Sequence, residues 1–200
     1  MREPHLCSRR RWLLAAALVG PLLAARSLRA EEIEEVNPDL AAQLFLKILC
    51  YDRNLPVRSS GRLVLAILYR PGHPESERIR ASVQAAFQSR ASKFPVQGRT
   101  VSVIAIAFDA KLLLKQLQSA GATLLYVTPG LDDPTGAVGA AAQALQAPTL
   151  TGRRSLLDGG LALAVVAMDD KPGIVINLPV ARSLGMDLDP NLLRVAEVKK

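Results

Sequence analysis

Residues 159–198 read GGLALAVVAMDDKPGIVINLPVARSLGMDLDPNLLRVAEV. Two apolar runs, 161–168 and 174–178, are rich in Val and Ile and flank the polar stretch Asp169-Asp170-Lys171-Pro172-Gly173. That is the pattern of an antiparallel hairpin with a longer loop. Pro179 and Gly185 bracket a short helix, because proline suits the first helical turn and glycine the exit. Asp189-Pro190 opens a last helical turn, with Leu192, Leu193, Val195 and Ala196 as its apolar face. Such a hairpin with two short helices needs the rest of the chain to supply the layers it packs against.

The upstream chain supplies them. Asn37 or Asp39 caps a helix over 40–50, whose apolar stripe is Leu44, Phe45, Ile48 and Leu49. Residues 52–61 read as a loop. The run LVLAILY at 63–69 is apolar throughout, as a strand buried on both faces must be. An amphipathic helix over 74–92 follows, with Ile79, Val83, Ala86 and Phe87 on one face. VSVIAIAF (101–108) is a second strand, 109–121 a helix between Asp109 and Gly121, and 123–127 a third strand. The Gly- and Pro-rich loop 128–136 leads to an Ala-rich helix over 137–146 and a short strand at 148–151. Strand and helix alternate three times. The expected fold is therefore a single α/β domain: a mixed, mostly parallel sheet flanked by helices, with the hairpin adding antiparallel strands at one edge.

The formal charge of +7 resides mainly in residues 1–30, where six Arg oppose one Glu; residues 31–200 carry only +2. A nucleic-acid-binding domain would hold its excess charge on the folded part. Residues 1–30 read instead as an export signal: Arg9-Arg10-Arg11, an apolar run over 12–25, then Ser27-Leu28-Arg29-Ala30. Ser8-Arg9-Arg10-Arg11-Trp12-Leu13 fits either a twin-arginine signal or an ordinary basic leader. Removal of this segment leaves one cysteine, Cys50, and one histidine, His73. An internal disulfide is then impossible, and the helical spacing of Cys50 from Leu46 predicts a buried thiol.

Ligands of open α/β sheets bind beyond the carboxyl ends of the strands. Those ends carry Tyr69, Arg70, His73, Asp109, Asp132 and Asp133. Arg70 has the forked geometry for a carboxylate or phosphate, and His73 could serve as a proton-linked switch. Arg153-Arg154 lies in a later loop, where it could meet an acidic partner. Read structurally, Arg70 to His73 form a turn, and Asp109 and Asp132-Asp133 cap helices. The loop Thr128-Pro129-Gly130-Leu131-Asp132-Asp133 lacks the glycine spacing and the lysine of a phosphate loop. There is no Gly-x-Ser-x-Gly elbow, and His73 and Cys50 are too few and too far apart for a transition-metal site. No cofactor, metal or catalytic residue is expected. The strand Leu161-Ala162-Leu163-Ala164, if it lay at an open edge, would support a homodimer.

Several positions of the last quarter carry a resemblance. Ile176-Asn177-Leu178, Ala181-Arg182, Gly185-Met186 and Leu192-Leu193-Arg194-Val195-Ala196, with the pair Gly159-Gly160, resemble the C-terminal signature of the YfiR/HmsC-like family of periplasmic regulators. Residues 31–200 would form that domain, and Gly159, Gly160, Asn177, Ala181, Arg182, Leu192 and Leu193 would be its structural signature. The resemblance implies a non-enzymatic periplasmic protein that binds and restrains an inner-membrane signalling partner, a diguanylate cyclase of cyclic-di-GMP signalling or a sensor kinase. Leu55-Pro56 stands where the family holds an aromatic before proline, and paired cysteines are lacking, so redox control by an internal disulfide is not available. A different class of function suits the same residues: a periplasmic small-ligand-binding protein serving an uptake system, with its site at the strand ends.

Overall fold

The run that reads as a strand buried on both faces becomes β1 (Arg62–Tyr69), with residues 63–68 buried. The computed structural model describes residues 36–59, 61–169 and 171–200; the expected export signal and Asp170 lie outside these. β1 lies between β2 (Thr100–Ala107) and β3 (Leu124–Val127), parallel to both. Next to β3 come β4 (Thr149–Thr151) and β5 (Leu163–Met168), again parallel, then β6 (Lys171–Asn177) antiparallel to β5. A strand the sequence does not announce, β7 (Glu197–Lys199), pairs parallel to β6. The sheet of seven strands runs β2-β1-β3-β4-β5-β6-β7. The expected mixed, mostly parallel sheet is thus the architecture found.

The helices α1 (Pro38–Cys50) and α3 (Pro74–Ala91) pack on each other, and α4 (Leu113–Ser119) packs on α5 (Thr135–Leu145). The chain steps from β1 outward to β2 and back across to β3. Right-handed crossovers in opposite directions put α3 and α4 on opposite faces of the sheet. Asn37 proves to be the cap of α1: its side chain accepts the Asp39 amide at 2.9 Å. Beneath α1, Phe45 and Phe87 stack at 6.2 Å, and Tyr126 of β3 meets them edge-on at 6.0 and 6.1 Å.

Several expectations are corrected. Residues 52–61 are not all loop: Leu55–Arg58 form a helical turn, α2, begun by proline at its second position. The helix expected from Asp109 starts only at Leu113, because Asp109 Oδ1 accepts the Lys111 and Leu112 amides and holds a separate turn. Arg154–Asp158 is a short helix, α6, rather than loop. The hairpin loop is shorter than expected, with β6 beginning at Lys171 and Asp169 at φ +48°. Leu161-Ala162-Leu163-Ala164 is wholly buried and lies inside the sheet, where β5 joins β4 and β6, so it offers no edge for a partner. Cys50 is exposed, not buried: the last turn of α1 faces a shallow groove beside Phe94, Pro95 and Val96 instead of a packed neighbour.

Several of the residues that carry the resemblance make local contacts in the C-terminal part. Asn177 caps α7 (Leu178–Ser183) by accepting the Val180 amide at 3.4 Å, and its Nδ2 donates to Leu157 O. Ala181 and Leu192 are buried, Leu193 packs half-buried on the core, and Arg182 is exposed. Gly160, at φ +106°, turns the chain from α6 into β5. The segment between α7 and α8 (Pro190–Val195) is stapled to the end of α1 through Asp52. This staple lies at the amino ends of the parallel strands, opposite the end described next.

Candidate functional site at the carboxyl ends of the strands

The strand order reverses at β1, with β2 on one side and β3 on the other. This reversal is where open α/β sheets place their ligand crevice, between the carboxyl ends of β1 and β3, but here the two loops are bonded together. The loop after β1 reaches the loop after β3: Arg70 Nη1 donates to Gly130 O at 3.2 Å. Ser76 and Thr128, both fully buried, share a hydroxyl bond of 2.7 Å. Ser76 Oγ also accepts the Arg70 amide, and Thr128 Oγ1 donates to Leu68 O. Two loops are thereby locked by a short chain of polar groups.

The N-terminus of α3 is closed to anions by its own side chains. His73 is its N-cap, with Nδ1 accepting the Ser76 amide at 3.2 Å, and Glu77 Oε1 accepts the Gly72 amide at 2.9 Å. Gly130 sits against the His73 ring at φ +84°, and a Cβ there would come within 3.0 Å of it. Gly130→Ala is expected to cost about 1–3 kcal/mol, from the left-handed backbone and the displaced ring together. Urea denaturation of the variant checks this.

Arg153 enters from the far side. Its guanidinium is mostly buried, with 13% of the side chain exposed, and pairs with Glu75 in the first turn of α3. Arg153 also lines a slot between α1, α3 and the sheet. Pro38, Ala41, Ile79, Val83, Pro129 and Val165 give the slot apolar walls, and Tyr126 and Arg153 give it polar ends. Its volume is about 40 Å³, which holds little more than one water molecule.

Of the residues singled out in the sequence, Arg70, His73, Asp132 and Arg153 gather at this end of the sheet. Asp132 does not cap α5; it braces the loop, with Oδ2 accepting the Gly130 amide and Oδ1 the Ser155 hydroxyl, both at 3.3 Å. Asp133 is exposed on the same loop. Tyr69 is turned toward α3, where Arg80 lies 5.2 Å above its ring. Arg154 points away and pairs with Glu197 of β7. Sequence reasoning missed Glu75 and the Ser76–Thr128 bond. Glu75 looks like any acidic residue of a first helical turn, and its partner lies 78 residues away. Among the described residues, no group of three or more acidic, His or Cys side chains could hold a metal ion, and no helix is long and apolar enough to cross a membrane.

No family model matches the chain, and no curated protein matches it significantly. Solved structures do share its fold. An ABC domain in complex with L-tryptophan from Streptococcus pneumoniae superposes with a TM-score of 0.57 at 15% identity, covering 80% of this chain and 60% of that one. A conserved domain protein from Vibrio cholerae gives 0.57 at 14%, covering 82% and 60%. The ligand-free, open form of a substrate-binding protein with adhesive properties from Clostridium difficile gives 0.52 at 16%, covering 74% and 57%. The chain spans about three-fifths of the length of these neighbours. The likeness establishes the fold alone, an α/β domain of the kind that substrate-binding proteins contain.

Proposed function

We propose that the chain is an exported, non-enzymatic binding protein that takes a small zwitterion of the amino-acid class at the carboxyl ends of β1, β3 and β4. The observation that carries this is Arg153, which lines an apolar slot and pairs with Glu75 of α3. A carboxylate and a guanidinium held side by side match the ammonium and carboxylate of an α-amino acid, and the apolar walls suit its side chain. The L-tryptophan bound to a neighbour of the same fold supports this ligand class. Export rests on the basic and apolar leader in residues 1–30.

Small-molecule pockets need roughly 300 Å³ or more, so on this reading the slot of about 40 Å³ must open to admit a ligand. Entry requires the start of α1, with Pro38 and Ala41, and the preceding Val36 to move off α3 while the ion pair opens to the ligand. Apparent affinity is then lowered by the fraction of molecules that are open. A thermal-shift screen over amino acids and simple organic acids tests the reading. At a hundredfold excess over Kd a true ligand stabilises by about 2.7 kcal/mol, or roughly 5–10 °C for a domain of this size. A panel with no shift refutes it.

The small size of the slot favours a second reading. A filled strand-end face is better suited to docking on a protein than to enclosing a metabolite, as the resemblance to the YfiR/HmsC-like regulators implies. The occupant would be the periplasmic part of an inner-membrane cyclase or sensor kinase. Cross-linked pull-down from the host's membranes separates the two: recovery of such a partner with a flat ligand screen supports the regulator.

A further inference from the structure

The sheet side of the slot has one position without a side chain. The register of β3 with β4 sets Tyr126 beside Leu150, and that of β4 with β5 sets Leu150 beside Leu163 and Thr151 beside Ala164. One step past the end of β4, position 152 continues this register beside Val165. Side chains alternate along a strand, so positions 126, 152 and 165 share one face of the sheet. It is the face that α1 and α3 cover, where Tyr126 meets Phe45 and Phe87. All three positions line the slot, and residue 152 is a glycine.

Two needs commonly place a glycine: a left-handed backbone or a close approach. Gly152 has no left-handed φ. A Cβ at 152 would instead come within 3.1 Å of the Tyr126 hydroxyl. The Tyr126 ring is only 4% exposed, and Phe45 and Phe87 meet it edge-on at 6.0 and 6.1 Å. With the ring braced in this way, an added methyl takes its volume from the slot, which is about 40 Å³.

The two walls of the slot differ in kind. Pro38 and Ala41 belong to the helix that must move for entry, whereas Tyr126, Gly152 and Val165 belong to the sheet side, which stays. We propose that Gly152 is the specificity-determining residue of this site: the tip of the ligand's side chain rests against it, and its missing side chain sets how large that tip can be. The inference rests on the amino-acid-binding reading above. Ile79, Val83 and Val165 surround the gap with branched aliphatic carbon, so the side chain that fits it is aliphatic. A methyl at 152 would then shorten the site by about one carbon. In an apolar pocket one methylene is worth roughly 10–200-fold in discrimination.

The test is calorimetric titration of the wild-type protein and of Gly152→Ala with leucine and with alanine, alongside the melting temperature of each protein. The wild type should bind leucine more tightly than alanine. Gly152→Ala should lose about tenfold or more in leucine affinity while its alanine affinity stays within about threefold. Its melting temperature should stay within about 2 °C of the wild type, because alanine is an ordinary residue for this backbone. If the wild type binds leucine and Gly152→Ala either binds it equally well or loses both amino acids alike, the inference is overturned and the binding reading stands. The same holds if the wild type binds another amino acid but not leucine. If the wild type binds no amino acid, the binding reading fails and this inference with it. A Gly152→Ala protein that melts about 10 °C or more below the wild type places the glycine in the service of the fold, and overturns the inference without any ligand.

Discussion

Asp52→Ala is expected to destabilise the protein by about 3–5 kcal/mol, the cost of breaking a buried ion pair from one side. The Asp52 carboxylate is fully buried. Oδ2 pairs with Arg58, whose side chain is only 13% exposed, and Oδ1 accepts the amides of Asn54 at 3.1 Å and Asp187 at 3.0 Å. Removing the carboxylate leaves a guanidinium and two amides without their acceptor. Around it, Gln97 donates to Asp52 O at 2.8 Å, and the Arg53 amide donates to Asp187 O at 2.8 Å. Asp189 pairs with Arg53 at 2.8 Å, and its carboxyl is held below the ordinary aspartate value by the Asn191 amide and by Arg53. One side chain thus closes the junction between α1, α2 and the α7–α8 segment. Chemical denaturation should show the midpoint falling, and Asp52→Asn, which keeps an acceptor for the amides, should lose about half as much.

Phe45→Ala should cost about 3–5 kcal/mol by the same measurement. Phe45 is fully buried and is the α1 member of the aromatic group with Phe87 and Tyr126. Its loss opens a cavity between α1, α3 and β3, directly beneath the helix whose first turn covers the slot. The variant therefore has a second expected effect. On the proposed ligand-binding reading, loosening α1 lowers the free energy needed to open the slot, so a ligand should bind faster to a less stable protein. Phe45→Leu, which refills most of the volume, should show a fraction of both effects.

The stretch after Gly159 was legible because a hairpin and its capped helices are local. β1 was legible because six buried neighbours in a row leave no solvent face. The parallel alternation gave the sheet, and with it the end at which to look for a site. What the sequence did not reveal is set by distance along the chain. Asp52 resembles any loop aspartate until Asp187, 135 residues away, brings its amide to it. Arg153 and Arg154 are neighbours of the same type. Only the start of α6 sends the first into the slot against Glu75 and the second out toward β7. Leu161–Ala164 and β2 have the same apolar character, and only strand order decides that the first is interior and the second is an edge.

The direct measurement of the proposed site is calorimetric titration of the wild-type protein with the best amino acid of the screen and with two analogues that each lack one charge. These are the N-acetylated acid and the corresponding amine without its carboxylate. If Glu75 and Arg153 receive the two ends of a zwitterion, the amino acid binds and each analogue is weakened by about 2–5 kcal/mol, roughly thirtyfold or more. Equal binding of all three, or of none, contradicts the account.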